Sequence, residues 1–186
     1  IVGCLYAFLA RRNGQLIHGS HIMAVEPGYR DLGLGFRMKL KHRELALAQG
    51  IKSISWTFDP LQSRNATLNL TRLGARVEEY IVDCYGRFPS QIERRLPSDR
   101  FVVNWQIGSA RVAHRLEDAA PSRPVPALPR VNETRLNNRQ LLTNVHFALD
   151  LRGPRLLVEI PANTDVMRAR DLSLARRWRL QTRQVF

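Results

Sequence analysis

The sequence has few cysteines, few acidic residues and no long apolar run, and each shortage excludes a class of protein. Only Cys4 and Cys84 occur in 186 residues, without Cys-x-x-Cys spacing, which excludes a disulfide scaffold and a cysteine zinc site. We interpret both as free, buried thiols in a reducing, cytoplasmic protein. No apolar run approaches the ~20 residues of a transmembrane helix, and the histidines show no metal-ligand spacing. Neither a membrane nor a metal is therefore expected as a partner.

Acidic residues are outnumbered by basic ones. The chain has 16 Asp and Glu against 29 Lys and Arg, for a net charge of +13. Such a surplus favours polyanions, a phosphate-rich cofactor or an anionic substrate. No zinc finger and no basic motif interleaved with aromatic residues accompanies it, which argues against nucleic acid as the main partner.

Turn residues and hydrophobic periodicity divide the first 107 residues into short elements. Asn13-Gly14 is typical of a β-hairpin turn, and Gly50 lies where a glycine that ends a helix is expected. Strands are predicted over residues 1–10, 15–25, 53–58, 75–85 and 101–107, and helices over residues 36–49 and 64–73.

The helix predicted over residues 36–49 has an apolar side and a basic side. Phe36, Leu40 and Leu47 share one face and are predicted to be buried. The basic residues predicted to point to water are Arg37, Lys39, Lys41 and Arg43.

The pattern changes from residue 108 onward. We interpret residues 108–144 as a linker or surface wrap, because prolines are frequent and periodicity is weak; the prolines are Pro121, Pro124, Pro126 and Pro129. A strand over 155–160 and an arginine-rich helix over 169–186, with Trp178 in the core, are predicted to follow. We expect a core domain over 1–107 and an extension over 108–186. The chain begins within a strand pattern and ends within a helix pattern, so we interpret both ends as cut.

A glycine loop follows the strand predicted to end at Val25. The chain breaks at Glu26-Pro27-Gly28 and turns through Gly33 and Gly35 into a helix. Free amides and the positive end of the helix dipole suit a phosphate there, and glycine lets the main chain approach an anion closely. The loop alone is equally consistent with a structural turn. It is not a P-loop, and Met38 stands where a dinucleotide fingerprint has its third glycine.

Residues 25–35, VEPGYRDLGLG, resemble motif A of the GNAT superfamily of acyl-CoA-dependent N-acyltransferases. That motif is Arg/Gln-x-x-Gly-x-Gly/Ala after a strand, and Arg30, Gly33 and Gly35 meet it.

Further segments strengthen the resemblance. Asn65 and residues 73–75 (LGA) are similar to the family's motif B. Residues 56–66, WTFDPLQSRNA, resemble a bacterial GNAT subgroup associated with N-acylamino acid racemases and o-succinylbenzoate synthases. The resemblance covers roughly residues 1–107, and residues 157–183 are similar to the subgroup's C-terminal extension.

The resemblance implies an α/β (α+β) fold: a GNAT-like mixed, mostly antiparallel sheet with flanking helices and a C-terminal strand–helix extension. It also implies that acetyl-CoA or another acyl-CoA, such as succinyl-CoA, lies in a V between the strands at 22–25 and 53–58. Amides of residues 30–36 would bind the pyrophosphate, and pantetheine would pair with residues 23–25. The implied cofactor-binding residues are Met23, Ala24, Val25, Arg30, Asp31, Leu32, Gly33, Leu34, Gly35, Phe36 and Asn65.

The sequence departs from the family in two places. The strand and helices that normally shape the acceptor pocket, before the position of Ile1, are absent. Leu70 occupies the place where many members have a tyrosine that protonates the leaving thiolate. Either Tyr80 or Tyr85 replaces that tyrosine, or solvent does, since a thiol of pKa ~8.5 is a tolerable leaving group.

Acyl transfer to an amine needs a base for one proton. Asp59 and Glu26 are the catalytic candidates, each near the C-terminal end of a strand beside the expected cleft, and each is equally typical of a turn. His21 is a third candidate and fits a packing role better. Arg64 next to Asn65 either binds a carboxylate of the acceptor or lies on the surface at a helix start.

The sequence thus favours an acyltransferase that moves an acetyl or succinyl group from coenzyme A to an amine, such as that of an amino acid, by direct attack in a ternary complex. The expected partner is a small-molecule amine, and a homodimer in which each chain supplies half a site is a further hypothesis. The alternative is a non-catalytic GNAT-like module that binds nucleic acid, which the net charge of +13 and Leu70 favour.

Overall fold

The fold is that of a computed structural model, which describes residues 1–86, 96–117 and 127–186. The chain divides into two compact units, which we treat separately. Unit 1 comprises Ile1–Phe58, Ala66–Glu79 and Phe101–Pro121. Unit 2 comprises Asp59–Asn65, Tyr80–Arg100 and Ser122–Phe186.

Strands and helices alternate through the first half of the chain. The strands there are β1 (Gly3–Arg12), β2 (Gln15–Val25), β3 (Ile54–Phe58), β4 (Arg76–Ile81) and β5 (Arg100–Trp105). The helices are α1 (Leu34–Ala48), α2 (Ser63–Ala66), which continues as a π-helix (Thr67–Arg72), and α3 (Ala110–Glu117); a short 3-10 turn spans Pro27–Tyr29. The second half contains β6 (Asn132–Leu136), β7 (Leu142–Phe147), α4 (Thr164–Arg170) and α5 (Leu172–Val185).

The main sheet has five strands in the order β1-β2-β3-β5-β4. β1 pairs with β2 and β5 with β3 in antiparallel register, whereas β2 and β3 are parallel. A separate two-stranded sheet contains β6 and β7. This mixed, mostly antiparallel sheet with flanking helices confirms the predicted fold class. No helix among the described residues is long and apolar enough to cross a membrane.

Local sequence explains how the β1–β2 hairpin and the following helix begin and end. Asn13 and Gly14 have φ angles of 49° and 78°, the left-handed pair that a two-residue hairpin turn requires. Gly50, with φ of 75°, ends α1 as predicted. Along β5, Phe101, Val103 and Trp105 are buried, the alternation expected of a strand with one face on a core.

The core of unit 1 lies around β3 and β5. Trp105 is fully buried, and its indole nitrogen donates to the Leu73 carbonyl at 2.8 Å. The rings of Trp105 and Trp56 pack in a T-shaped arrangement, with 6.1 Å between their centroids. These two contacts fix Trp56 of β3, a residue that matters for the site described below.

The core of unit 2 is built by its helices and the β6–β7 sheet. It contains Leu61, Leu141, Met167, Leu174, Ala175 and Trp178. Trp178 is buried as predicted, and its indole nitrogen donates to the Leu142 carbonyl at 2.8 Å. The single helix predicted over 169–186 is instead two helices, because the Asp171 side chain accepts from the Leu174 amide and caps the start of α5.

The structure corrects three sequence predictions. Residues 155–160 form no strand, and Leu157 makes only an isolated bridge to Arg130. The stretch 108–144, interpreted as a linker, contains α3, β6 and the start of β7, although residues 118–126 with three of its prolines lie outside the described ranges. Cys4 is exposed and Cys84 half-buried, so neither thiol is buried, and both are free.

The buried face of α1 also differs from the prediction. Its buried residues are Lys39, His42 and Ala46, spaced three and four apart, and Leu47 is exposed. Lys39 was predicted to point to water, yet it is 2% exposed. The helix therefore turns a polar stripe toward the sheet, for a reason that only its partners on β2 and β3 reveal.

Candidate functional site

β2 and β3 run side by side only at one end. Their parallel ladder comprises His18↔Ile54 and Gly19↔Ser55, and the His18 amide donates to the Ser53 carbonyl at 3.1 Å. Beyond Gly19, β2 continues to Val25 and β3 to Phe58 without further pairing to each other among the described residues. The two strands thus leave a gap between them, closed at Gly19 and Ser55.

A β-bulge lies just beyond the closed end of this gap. Tyr6 pairs with Ile22 and Ala7 with Ser20, so His21 is the extra residue in β2. A bulge bends a strand and increases its local twist, which explains why β2 leaves β3 here. The centroids of the His21 and Tyr6 rings are 6.3 Å apart, and His21 is exposed. Its packing role stays a prediction.

The glycine loop follows directly after β2, at the open end of the gap. Asp31 and Gly33 have φ angles of 62° and 77°, and such left-handed residues curl successive amides into an anion-binding concavity. α1 then begins at Leu34 without a side-chain cap and without an acidic residue in its first turn. The first intrahelical bond runs from the Arg37 amide to the Gly33 carbonyl at 3.1 Å.

The amides of residues 34–36 therefore have no acceptor within the helix. Arg30 adds a positive charge to the same loop; its Nε donates to the Val25 carbonyl at 3.1 Å, and the side chain is exposed. At Gly35 a Cβ atom would lie 3.5 Å from the Met23 side chain, an ordinary contact. The loop thus combines free amides, a helix N-terminus and a guanidinium, the donor set that binds phosphate.

The predicted cofactor residues of unit 1 gather in this region. Met23, Ala24 and Val25 form the end of β2 along the gap, and residues 30–36 form the loop and the first turn of α1. Asn65 is exposed on α2, in unit 2. Its contact with a pantetheine arm stays a prediction.

Lys39 lies at the closed end of the gap. Its Nζ donates to Ser20 Oγ at 2.9 Å and lies 3.7 Å from the centroid of the Trp56 ring. Burial lowers the pKa of Lys39 to about 7, because removing an ammonium from water disfavours its charged form. The signal that would have revealed this residue is the spacing Gly35, Lys39, His42, Ala46, a regular helix face without the expected apolar side chains.

Two histidines continue the polar layer beneath α1. Nδ1 of His18 and Nε2 of His42 are 3.1 Å apart, and His18 Nε2 lies 3.0 Å from Oε1 of Gln49. Burial, and then the charges of Lys39 and His18, lower the pKa of His42 to about 4. At neutral pH this ring is therefore uncharged.

The two carboxylates predicted as bases have different surroundings. Glu26 is exposed at the end of β2, with its amide donating to the Val2 carbonyl at 2.9 Å. In unit 2, Asp59 accepts from Arg179 at 2.5 Å and from the Leu61 amide at 2.9 Å. A base role for Asp59 would require its pair with Arg179 to open, whereas the Glu26 side chain is already in solvent. Both roles stay predictions.

The motif B segment has a conformational reason for its glycine. Gly74 is buried with φ of 69°, and a Cβ there would lie 3.1 Å from Cγ of Arg115. The preceding turn is a π-helix, in which the Leu73 amide donates to the Leu68 carbonyl at 2.9 Å. Leu70 lies within this turn, so a hydrocarbon side chain stands where the resemblance implies a proton donor.

Unit 2 contains the tyrosines proposed as substitutes. The Tyr80 hydroxyl donates to Asp99 at 2.6 Å, and burial together with that bond raises the pKa of Tyr80. Arg183 donates to both oxygens of Asp99 at 2.8 Å. Tyr80 is thus part of a structural ion-pair network and is a weak acid. Tyr85 is exposed, with the Arg100 guanidinium 4.9 Å from its ring centroid.

Comparison with known proteins gives similarity in structure alone. The sequence matches no protein-family model and no curated protein significantly. In structure the chain is similar to a chain of the NatC complex bound to Gag peptide and CoA, with 17% identity and a TM-score of 0.48 over 56% of this chain and 60% of that one.

Two bacterial structures give similar values. An acetyltransferase of the GNAT family from Streptococcus pneumoniae is 18% identical with a TM-score of 0.45, over 55% of this chain and 58% of that one. A GNAT family acetyltransferase from Elizabethkingia anophelis with acetyl-CoA bound is 15% identical with a TM-score of 0.44, over 57% of this chain and 69% of that one. This chain thus spans 60% and 58% of the first two proteins, and likeness at such identity concerns the fold alone.

Proposed function

We propose that this protein transfers an acyl group from coenzyme A to an amine. The observation that carries the proposal is the gap between two parallel strands, β2 and β3, with the glycine loop and the uncapped start of α1 at its open end. An extended ligand with an anionic end and a thioester end fits this arrangement. Its pyrophosphate would bind the amides of residues 30–36, and its pantetheine arm would add to the free edge of β2.

The proposed chemistry is direct attack by the amine on the thioester carbon. Residues 23–25 would supply an amide that polarises the thioester carbonyl, and Glu26 or Asp59 would take the proton of the amine. The donor is acetyl-CoA or succinyl-CoA, and the acceptor is a small amine such as that of an amino acid. We also propose that it belongs to the bacterial GNAT subgroup associated with N-acylamino acid racemases and o-succinylbenzoate synthases, a proposal that the segment WTFDPLQSRNA at residues 56–66 supports.

Calorimetry tests directly whether the glycine loop binds a pyrophosphate. CoA, acetyl-CoA and succinyl-CoA should bind the chain, whereas pantetheine, which lacks the pyrophosphate, should bind at least about tenfold more weakly. Release of free thiol from acetyl-CoA or succinyl-CoA in the presence of a panel of amino acids and amines then identifies donor and acceptor. Failure of all three CoA compounds to bind would overturn the proposal.

Gly35→Asp is a sharp test of the loop. A carboxylate in the first turn suits the helix dipole, and a Cβ fits at residue 35, so the fold should be kept. The same charge would repel a pyrophosphate, and CoA affinity should fall by at least about tenfold. Gly108→Asp, at an exposed glycine where a Cβ meets only the Leu47 side chain at 3.8 Å, is the matched control and should bind CoA normally.

The second candidate function is a non-catalytic module that binds nucleic acid. The net charge of +13 and the hydrocarbon side chain of Leu70 favour it. Salt-dependent retardation of DNA or RNA by the chain, together with no thiol release from acyl-CoA, would support this alternative. Light scattering with and without CoA tests the further proposal that the chain acts as a homodimer.

A further inference from the structure

Lys39 places an ionisable amine where β2 and β3 separate. Gly19 and Ser55 are the last residues of the two strands to pair, and Ser20 and Trp56 follow them. Lys39 Nζ donates to Ser20 Oγ at 2.9 Å and lies 3.7 Å from the Trp56 ring centroid. The amine is thus held by both strands at the closed end of the gap.

The surroundings of Lys39 leave part of its donor capacity unused. An ammonium has three N–H donors; Ser20 accepts from one, and the face of Trp56 attracts the charge. The Lys39 side chain forms no ion pair and no other hydrogen bond within the ranges 1–86, 96–117 and 127–186. A methionine of similar length would fill the space without the cost of burying an ammonium. Packing alone therefore does not explain a lysine here.

We propose that Lys39 is a catalytic acid of this protein and donates a proton to the sulfur that leaves acyl-CoA. The inference rests on the proposed acyl transfer. As the amine nitrogen bonds to the thioester carbon, the C–S bond breaks and its electron pair passes to sulfur, which takes a proton from Nζ. The attacking nitrogen loses one proton to the base proposed above, Glu26 or Asp59, which passes it to solvent. Lys39 regains one proton from solvent, so the protons balance.

The acidity of Lys39 suits this step. Its pKa, lowered by burial to about 7, lies below the ~8.5 of an ordinary thiol, so transfer to a thiolate is downhill. About half of the molecules still carry the proton at neutral pH. His42 is uncharged there because its pKa is about 4, and Leu70 has no proton to donate, so neither competes for the role.

The first test compares CoA with desulfo-CoA, which lacks only the sulfur. Below pH 7, wild type should bind CoA about tenfold more tightly than desulfo-CoA, because the Lys39 ammonium then donates a charge-assisted hydrogen bond to the sulfur. Lys39→Met should lose this preference and keep its affinity for desulfo-CoA. Lys41→Met is the control, since Lys41 lies two residues away with its side chain 62% exposed, 2.6 Å from Glu44. It should behave as wild type.

The second test is kinetic and uses the amine that supports thiol release. Lys39→Met should lower kcat about 100-fold at pH 6.5, the usual contribution of a general acid, with little change in KM. The ratio of wild-type to mutant kcat should shrink above pH 7, because wild type loses its acidic proton. A ratio that stays constant with pH would overturn the assignment.

A measurement on wild type alone guards against a folding defect in the variant. With 13C-labelled lysine, the Cε resonance of Lys39 should titrate near neutral pH. CoA should shift it, whereas desulfo-CoA should not. If wild type binds no CoA and transfers no acyl group, the proposed function fails. If wild type binds CoA and transfers acyl groups but neither Cε nor the variant responds to the sulfur, the assignment of Lys39 alone fails.

Discussion

Lys39 in unit 1 and Arg179 in unit 2 are both buried cations, but their partners differ in kind. Arg179, 1% exposed, donates to the Asp59 carboxylate at 2.5 Å. Lys39, 2% exposed, has a hydroxyl and an indole ring and no carboxylate. Arginine stays charged in proteins, whereas a buried lysine readily changes its charge. The buried charge of unit 2 therefore stabilises the structure, whereas the buried amine of unit 1 is able to gain or lose a proton.

The largest predicted change in the free energy of unfolding comes from breaking the ion pair of Asp99 with Arg183. Asp99 is fully buried and accepts from Arg183, Tyr80 and the Asp83 amide. Asp99→Asn should lower the free energy of unfolding by about 3 kcal/mol, because it replaces one acceptor oxygen with an N–H donor and leaves the Arg183 guanidinium without its counter-charge. Urea denaturation followed by tryptophan fluorescence measures the change.

The pH dependence of the free energy of unfolding gives a second check on the role of Asp99. Although burial raises its pKa, hydrogen bonds from Arg183, Tyr80 and the Asp83 amide outweigh burial and lower it below 3.8. The stabilisation is therefore present above pH 4 and is lost as the pH falls further. The deficit of the variant should shrink in acid, and an equal deficit at pH 3 and pH 7 would contradict this account.

Lys39→Met should raise the free energy of unfolding, whereas Asp99→Asn should lower it. In wild type the pKa is about 7 when folded and 10.5 when unfolded, so the unfolded chain binds more protons between these values and stability rises with pH. Methionine removes that penalty. The variant should be more stable than wild type by about 1–3 kcal/mol at pH 6 and gain little at pH 10.

The measurement is the difference between two urea curves at each pH, with Lys41→Met as the control for a change in net charge. A destabilised Lys39→Met at pH 6 would show that the lysine contributes to the fold, and the contrast with Arg179 would then be lost.

A smaller effect should appear at His42. The charge of Lys39 is one of the causes that hold the pKa of His42 at about 4, after burial. Removing the ammonium in Lys39→Met should therefore raise the pKa of His42, although burial keeps it below the usual value. Two-dimensional 15N NMR of the imidazole rings measures this shift. An unchanged His42 titration would mean that the two groups do not sense each other.

The smallest effect is expected at an exposed pair on α1. Lys41 and Glu44 lie 2.6 Å apart with side chains 62% and 67% exposed. Glu44→Gln should change the free energy of unfolding by less than about 0.5 kcal/mol, since exposed ion pairs contribute little. A loss near that of Asp99→Asn would show that proximity rather than burial decides the value of a pair in this protein.

Much of the fold was predictable because its signals are local. Asn13-Gly14 predicts its hairpin and Gly50 the end of α1, since each needs a left-handed backbone. The loop around Gly33 was recognisable for the same reason. The prediction of a strand over residues 155–160 was wrong. An apolar run forms a strand only when it pairs with a neighbouring strand, and here only Leu157 makes a bridge.

Hydrophobicity alone does not predict the burial of Lys39, because a charged side chain is ordinarily exposed. Judged by hydrophobicity, Phe36, Leu40 and Leu47 define the inner face of α1, yet the inward stripe is Lys39, His42 and Ala46. Such a stripe is stable only if the sheet supplies partners. Ser20 and His18 come from β2, a separate element that lies 19 and 24 residues before their partners Lys39 and His42, so the periodicity of the helix does not reveal them.

The sequence by itself determined the turns, the glycine loop and the alternation of strands, because these depend on backbone preferences within a few residues. Only the tertiary structure decided that β2 and β3 separate beyond Gly19 and that a lysine amine lies where they do. Both facts depend on pairing and burial between distant segments. The pKa of the Lys39 amine is low because those segments exclude water from it.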